Sequence, residues 1–568
     1  MNMAEKFDVI VVGAGPAGSA AAITLAREGV DVIVLEKSQL PGHRNVTGGV
    51  LYGGFIKGLG MIDLVPEFES EAPLERKAVS HELYYLGDHI REDGSYSYRV
   101  LRLDKNSLPT KLGLTKLDAT TGHDYTVLRA RFDRWLAFKA ADEGAMLSLS
   151  TTVEDLIWRD GKVAGVITQN DELYADLVID CGGVTSNLPV KAGIRGKLEP
   201  HQVYHGVKHV YKLKSDRIEE LFGVDGVARV FYLLGGFMKG VIGGGFIYPN
   251  RESLSVGLVL DLQSAAERFK EIPYEIGKPL DLLEEMERHP FVAQLLEGAV
   301  RVEYSAHNIP RGYKCLPERP YAPGFLMAGD SLGVFTKIGA LIDGMRPAIA
   351  SGILAARMYL QARKAGDFSA GKLSQYRTLL QPLYDAVASS KRNSMLLESR
   401  LVYHRIPPLA LKLGLGRLQR YDGPLPPRDE RDAVQRIQER TGILDYHEDK
   451  KRSHIEVNFE KASNNPYKPW IPLCPVNCYT LATDKGVFAS FRDLYRYNLE
   501  ILRRTFNGTE DALTSEALKM TWDDIRRGSL KFDHVACVAC GTCGVLGPGD
   551  VISFGHERDG HGVRFRYG

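Results

Sequence analysis

FDVIVVGAGPAGSAAAITLAREGVDVIVLEK, residues Phe7 to Lys37, decides the fold. The run Val9 to Val12 has the length and β-branching of a buried parallel strand, and Gly13-Ala14-Gly15-Pro16-Ala17-Gly18 follows it without a gap. Gly13 permits a sharp turn, Gly15 lets the backbone approach a pyrophosphate, and Gly18 lets the next helix pack closely on the strand. Amides at the start of that helix would face the phosphates. Glu36 ends the second strand, 23 residues after Gly13, where a carboxylate can accept the hydrogen bonds of a ribose diol. A structural turn alone can imitate a glycine triad. Here strand, triad, helix, second strand and acid agree on a dinucleotide cradle, with Gly13, Gly15, Ala17, Gly18, Glu36 and Lys37 as candidate contacts.

NAD and FAD both suit such a cradle, and a second stretch chooses between them. Gly324 to Ala356, GFLMAGDSLGVFTKIGALIDGMRPAIASGILAA, reads as an apolar strand ending in Gly329-Asp330, then a loop and an Ala-rich helix. By itself Gly329-Asp330 is an ordinary strand-to-turn junction. The stretch resembles that of the glutathione-reductase-like flavoproteins, and the resemblance implies that Asp330 holds the ribityl chain of FAD. The amides of Gly344 and Met345 would then open a helix toward the isoalloxazine ring.

The chain has 568 residues and a formal net charge of +1, so it is long enough for several cores and carries no overall field for nucleic acid. Met1 to Lys6 is too short and polar for a secretory signal, and apolar runs are interrupted before the roughly 20 residues a spanning helix needs. A cytoplasmic protein without a transmembrane segment is expected. Its seven cysteines are an odd number, which argues against a disulfide framework.

Between the two stretches, Pro41 to Gly54, PGHRNVTGGVLYGG, is glycine-rich enough to lie against a flat ring. Arg129 to Gly144 reads as an amphipathic helix that packs through Phe132, Leu136 and Ala140, with Arg131 a candidate flavin contact. Leu147 to Asp180 alternates as a strand meander, and Val203 to Leu262 is β-rich around Gly243-Gly244-Gly245, which is either a bulge or bare backbone for a planar ligand. Helical sequence over Glu271 to Glu297 and a strand over Val302 to Ile309 follow, so a β domain interrupts the nucleotide fold.

Lys391 to Tyr421 carries seven Lys or Arg against one Glu, interleaved with aliphatic residues. That composition fits a surface resting in lipid headgroups and equally an ordinary packed helix with a solvated basic face. Pro407-Pro408 is expected to divide the segment into two short helices, and Tyr421 to Glu430 to form a linker.

Near the C-terminus, Cys537-Val-Ala-Cys540-Gly-Thr-Cys543 has the spacing that wraps three thiolates around one corner of an iron–sulfur cluster. The following Gly544 to Pro548 contains no cysteine, whereas the remote Cys474-Pro475 supplies a fourth ligand. One 4Fe-4S cluster on Cys474, Cys537, Cys540 and Cys543 is the economical count. Structural zinc is the rival, although zinc sites usually pair two C-x2-C knuckles. Cys478 has no evident ligand role.

With these motifs in view, the chain resembles the electron-transfer flavoprotein:quinone oxidoreductases, especially the Fix-type flavoprotein fused to a ferredoxin-like partner. The resemblance rests on PGHRNVTGGVLYGG, GVKHVYKL at Gly206 to Leu213, GGGFIYPNRESLSVGLVL at Gly243 to Leu260, Gly329-Asp330, Cys474-Pro475, CVACGTC and the closing GHGVRFRYG. It implies an enzyme of EC 1.5.5 type with FAD and one 4Fe-4S cluster, taking electrons from a two-subunit electron-transfer flavoprotein to ubiquinone or menaquinone at the cytoplasmic face of the membrane. Thr47, Gly48 and Gly49 would lie near the flavin, and Gly243 and Gly244 would line the quinone pocket. The sequence departs from related flavoproteins at Cys181-Gly182-Gly183, where an acid often precedes the last glycine.

The expected fold class is therefore α/β: a glutathione-reductase-like, Rossmann-type FAD domain (residues 1–80, 126–200 and 311–365), β-rich quinone-side segments (81–125 and 201–310), a helical, membrane-surface segment and linker (366–445), and a ferredoxin-like α+β iron–sulfur domain (446–568) with an insertion near 484–530. Other functional classes fit parts of the pattern: the quinone-reducing subunit of an electron-bifurcating complex, a flavin-dependent prenyl reductase, or a non-catalytic electron relay.

Overall fold

The computed structural model describes residues 6–46, 49–111, 117, 120–338, 341–394, 405–427, 431, 435, 441–446 and 453–568. Val9, Ile10 and Val11 are fully buried. Each contributes about 1.5–3 kcal/mol by leaving water, which is why so short a run forms the central strand. This strand, β1 (Lys6–Val12), pairs in parallel with β2 (Val32–Leu35) on one side and with Glu172–Asp180 on the other. Phe325–Met327 extends the same parallel face, and Val153–Arg159 with Lys162–Thr168 adds the antiparallel hairpin. With Met146–Ser148 beside β2 and Tyr321–Ala322 beside Phe325–Met327, they make the eight-stranded sheet of a Rossmann-like α/β fold.

The helix α1 (Pro16–Ala26) covers this sheet and packs on the long helix Met345–Ala365. Their contact is close because Gly352 has no side chain: a Cβ there would stand 2.1 Å from the Ala17 carbonyl oxygen. Gly18 is under the same constraint, since its Cβ would lie 1.9 Å from the carbonyl oxygen of Gly13.

A ten-stranded sheet gathers both expected β-rich segments into one layer, in the order Val300–Pro310, Val203–Lys212, Ser253–Asp261, Gly243–Pro249, Val227–Gly235, Leu74–Glu92, Ser95–Leu103 and Arg417–Tyr421. Val50–Tyr52 and Asp124–Val127 attach to Leu74–Glu92 as a side branch. Pro407 and Pro408 stand in the first turn of the helix Ile406–Lys412, where a missing N–H costs nothing, so a short helix begins at them. Residues 395–404, a part of that basic and aliphatic stretch, lie outside the described residues. Among the described residues no helix is long and apolar enough to cross a membrane.

In the C-terminal unit, Tyr479–Thr483 pairs with Gly486–Phe488 and with Ser529–Phe532. Between those strands the expected insertion forms a helical hairpin, Phe491–Thr505 and Glu510–Arg527, around its own small core of Tyr495, Leu502, Leu513 and Ala517. Because the flanking strands pair, the insertion leaves Cys478 beside the second cysteine segment: the amide of Asp533 donates to the carbonyl of Cys478 at 2.8 Å.

Candidate functional site

A cavity of about 650 Å³ opens where β1, β2 and Glu172–Asp180 end. The three ends are locked together: the Gly13 amide donates to Leu35 O at 2.8 Å and the Cys181 amide to Val12 O at 2.9 Å. Gly13, Gly15 and Ala17 line the cavity, and Gly18 stands behind them in the contact with Gly13. Gly13 adopts a φ of +96°, and a Cβ on it would meet Cys181 O at 2.6 Å, so only glycine makes this turn. No side chain caps α1 at Gly15, leaving its first amides available to an anion.

Glu36 and Lys37 line the same space. The Glu36 carboxylate accepts from the amides of Ala14 (3.0 Å) and Ser38 (2.8 Å), which fixes it beside the glycine turn. Asp330 reaches the cavity from the opposite wall, with Gly329, Gly344 and Met345 beside it. Burial pushes the Asp330 carboxyl up to about 6, against the pull of Arg129. Gly49 also lines the cavity, packed so tightly on Tyr248 that a Cβ would come within 2.4 Å of the ring. Thr47 and Gly48 lie outside the described residues.

Some expected residues stand elsewhere. Arg131 points outward and pairs with Glu75 at 3.6 Å, whereas Arg129, two residues earlier on the same helix, lines the cavity and is held by Asp133 at 2.8 Å. Neither Gly243 nor Gly244 is among the lining residues; Gly244 pairs with Val259, which is. No acid immediately precedes Gly183; the nearest is Asp180, two residues before Gly182. Buried Asp180 accepts from the Gly182 amide at 3.0 Å and from the hydroxyls of Ser186 and Ser331, and so holds the second glycine turn.

The five C-terminal cysteines, Cys474, Cys478, Cys537, Cys540 and Cys543, are all buried and line one small pocket. Cys478, set aside on sequence, belongs to this group. Among the described residues no three His, Cys, Asp or Glu side chains are grouped as ligands of a single metal ion; the thiols surround a pocket instead. The Cys537 sulfur accepts from the Ala539 amide at 3.2 Å, and Tyr446 donates to the Cys537 carbonyl at 2.6 Å.

Pocket and cavity share a wall. Along the strand Val300–Pro310 successive side chains face opposite ways: His307 and Ile309 line the cavity, while Tyr304 donates to Pro475 O at 2.8 Å and Asn308 accepts from Thr542 at 2.8 Å inside the cysteine run. Burial and the neighbouring Lys37 and Arg129 push His307 down to about 3, so at neutral pH it presents an uncharged imidazole. Ala539, between Cys537 and Cys540, lines the cavity directly.

A family model described as FAD dependent oxidoreductase matches residues 8–269. Protein FixC of Escherichia coli (strain K12) is 37% identical over 411 residues, covering 72% of this chain and 89% of the relative. Protein FixC of Azotobacter vinelandii is 36% identical over 382 residues, 66% of this chain and 81% of the relative. The probable electron transfer flavoprotein-quinone oxidoreductase YdiS of Escherichia coli (strain K12) is 34% identical over 378 residues, 66% and 82%. Among solved structures, a geranylgeranyl bacteriochlorophyll reductase-like protein from Thermoplasma acidophilum superposes with a TM-score of 0.52 at 19% identity, over 72% of this chain and 99% of that one. At that identity the likeness is one of fold.

Proposed function

The chain belongs to the FixC-type electron transfer flavoprotein-quinone oxidoreductase family of FAD-dependent oxidoreductases, and from that membership we propose that it carries electrons from an electron-transfer flavoprotein, through one 4Fe-4S cluster and FAD, to a quinone. The observation that carries this is the shared wall: the strand Val300–Pro310, with His454, Ala539 and Phe554, stands between five buried thiols and a dinucleotide-sized cavity.

The residues fit both groups. The glycine turn whose side chains would collide with backbone, the uncapped start of α1 and the carboxylate of Glu36 suit the pyrophosphate and ribose of FAD. Asp330, Gly344 and Met345 would hold its flavin end together with Gly49. Cys474, Cys537, Cys540 and Cys543 would ligate the cluster. When bound, the cluster supplies one-electron transfer and the flavin one- or two-electron transfer, which together match single electrons to a two-electron acceptor.

What the chain itself contributes is position and dryness. Tyr304 and Asn308 fix the cysteine loop, Arg129 and Asp133 fix the cavity floor, and Phe246 stacked on Tyr248 at 4.6 Å closes the side nearest Gly49. Gly243 and Gly244 would admit the quinone at the start of their strand, beside Val259. The amphipathic surface at Ile406 to Arg420 would rest on the cytoplasmic face of the membrane: Leu411 is buried while Ile406, Leu409, Leu413, Leu415 and Leu418 are exposed among Lys412, Arg417 and Arg420.

The test is anaerobic. Reduced electron-transfer flavoprotein mixed with the full chain and a short-chain quinone should give quinol, and the Cys540→Ser variant should keep FAD yet lose that flux. An FAD-loaded chain that reduces no quinone would contradict the proposal.

A further inference from the structure

The dinucleotide cavity is not built by the nucleotide fold alone. Phe554, Gly555, His556 and Arg558, from the C-terminal unit, line its Glu36 end opposite Lys37, Thr152 and Val153. The contact is specific. Lys37 Nζ lies 3.0 Å from His556 Nδ1, Thr152 donates to the Glu557 carbonyl at 2.6 Å, and Asn187 donates to the Phe554 carbonyl at 3.0 Å. Arg558 pairs with Glu154, and a backbone bridge joins Ser38 to Gly560.

Glu557 is the centre of this contact. It is fully buried and forms ion pairs with Arg44 and, at 3.6 Å, with Lys37. Both cations belong to the nucleotide fold, and Lys37 follows the carboxylate expected to hold the ribose. Without Glu557 two cations would face each other in a dry site, so the pairing both seats the segment and shapes the cavity.

We propose that the segment Phe554–Arg558 is the closing wall for the adenosine half of FAD, so that FAD binding and docking of the C-terminal unit stabilise each other. This rests on the assignment of FAD to the cavity and goes beyond it by making the site composite. By linkage, a ligand held by both walls favours the docked form, and docking strengthens the ligand by the same factor that the ligand strengthens docking.

The experiment uses the full chain stripped of FAD and titrated back, with flavin fluorescence for affinity and limited proteolysis for release of the C-terminal unit. FAD should slow that release by at least about tenfold, and His556→Ala and Glu557→Gln should each bind FAD about tenfold more weakly. Arg558→Ala, altered at a partly exposed position, provides a variant expected to fold and to show the same loss in smaller measure. If FAD leaves proteolysis unchanged, or the His556 and Arg558 variants bind it as the parent does, the composite site is wrong. If the parent chain itself takes up no FAD, the assignment of the cavity fails instead.

Discussion

His454 Nε2 lies 3.4 Å from the sulfur of Cys537, and the same imidazole lines the dinucleotide cavity. A nitrogen that donates to a cluster thiolate stabilises the more negative, reduced state and raises the reduction potential. Replacing His454 with Leu should therefore shift the cluster midpoint to lower potential, with Gln, which can still donate, giving a smaller shift. EPR-monitored potentiometry reads this directly, and an unchanged midpoint in the Leu variant would remove His454 from the cluster's surroundings.

The seam between α1 and Met345–Ala365 allows a stability prediction. Alanine at a helical glycine position ordinarily gains about 1 kcal/mol. At Gly352 the new Cβ would sit 2.1 Å from Ala17 O, a backbone atom that cannot step aside. Overpacking of this kind costs about 1–3 kcal/mol. Gly352→Ala should lower the urea midpoint despite the helix gain; a higher midpoint would mean that the two helices part freely.

Asp330 sets a pH dependence. Its folded-state carboxyl stands at about 6, above the value of about 3.9 in an unfolded chain. The native form thus holds the proton more tightly. The resulting stability is complete below about pH 4 and is lost as pH rises through the folded value. Without FAD, the stability of the parent minus that of Asp330→Asn should fall between pH 4 and 6 and level off above about pH 7. A difference that stays flat across this window would show that Asp330 keeps its ordinary acidity.

The exposed aliphatic patch predicts lipid association. Leu409→Ser with Leu413→Ser should abolish co-sedimentation with anionic vesicles while leaving FAD content unchanged. Binding by the parent should weaken with salt, because the basic residues around the patch act through screened attraction. Equal sedimentation of parent and variant would place the contact elsewhere.

What could be read from the sequence was what is local. The strand and glycine turn at Phe7–Lys37, the Gly329-Asp330 junction and the cysteine spacing depend on neighbours within a few residues, and each stands in the structure as a cavity wall or pocket lining. Arg129 and Arg131 are two positions apart on one helix, and only packing against the sheet decides which faces inward. Asp180 was hidden because its carboxylate folds forward onto Gly182 from the preceding strand. Cys478 joins the other thiols through pairing of Tyr479–Thr483 with Ser529–Phe532 across the helical hairpin, and Phe554–Arg558 meets Lys37 across more than five hundred residues. No local pattern reports contacts of that range.

Metal analysis with EPR on anaerobically purified chain tests the central claim most directly. The account predicts one FAD and about four iron atoms per chain, with a reduced-cluster signal that disappears when a quinone analogue is added. Zinc in place of iron at the cysteine pocket, or a reduced cluster that does not exchange electrons with the flavin, would contradict it.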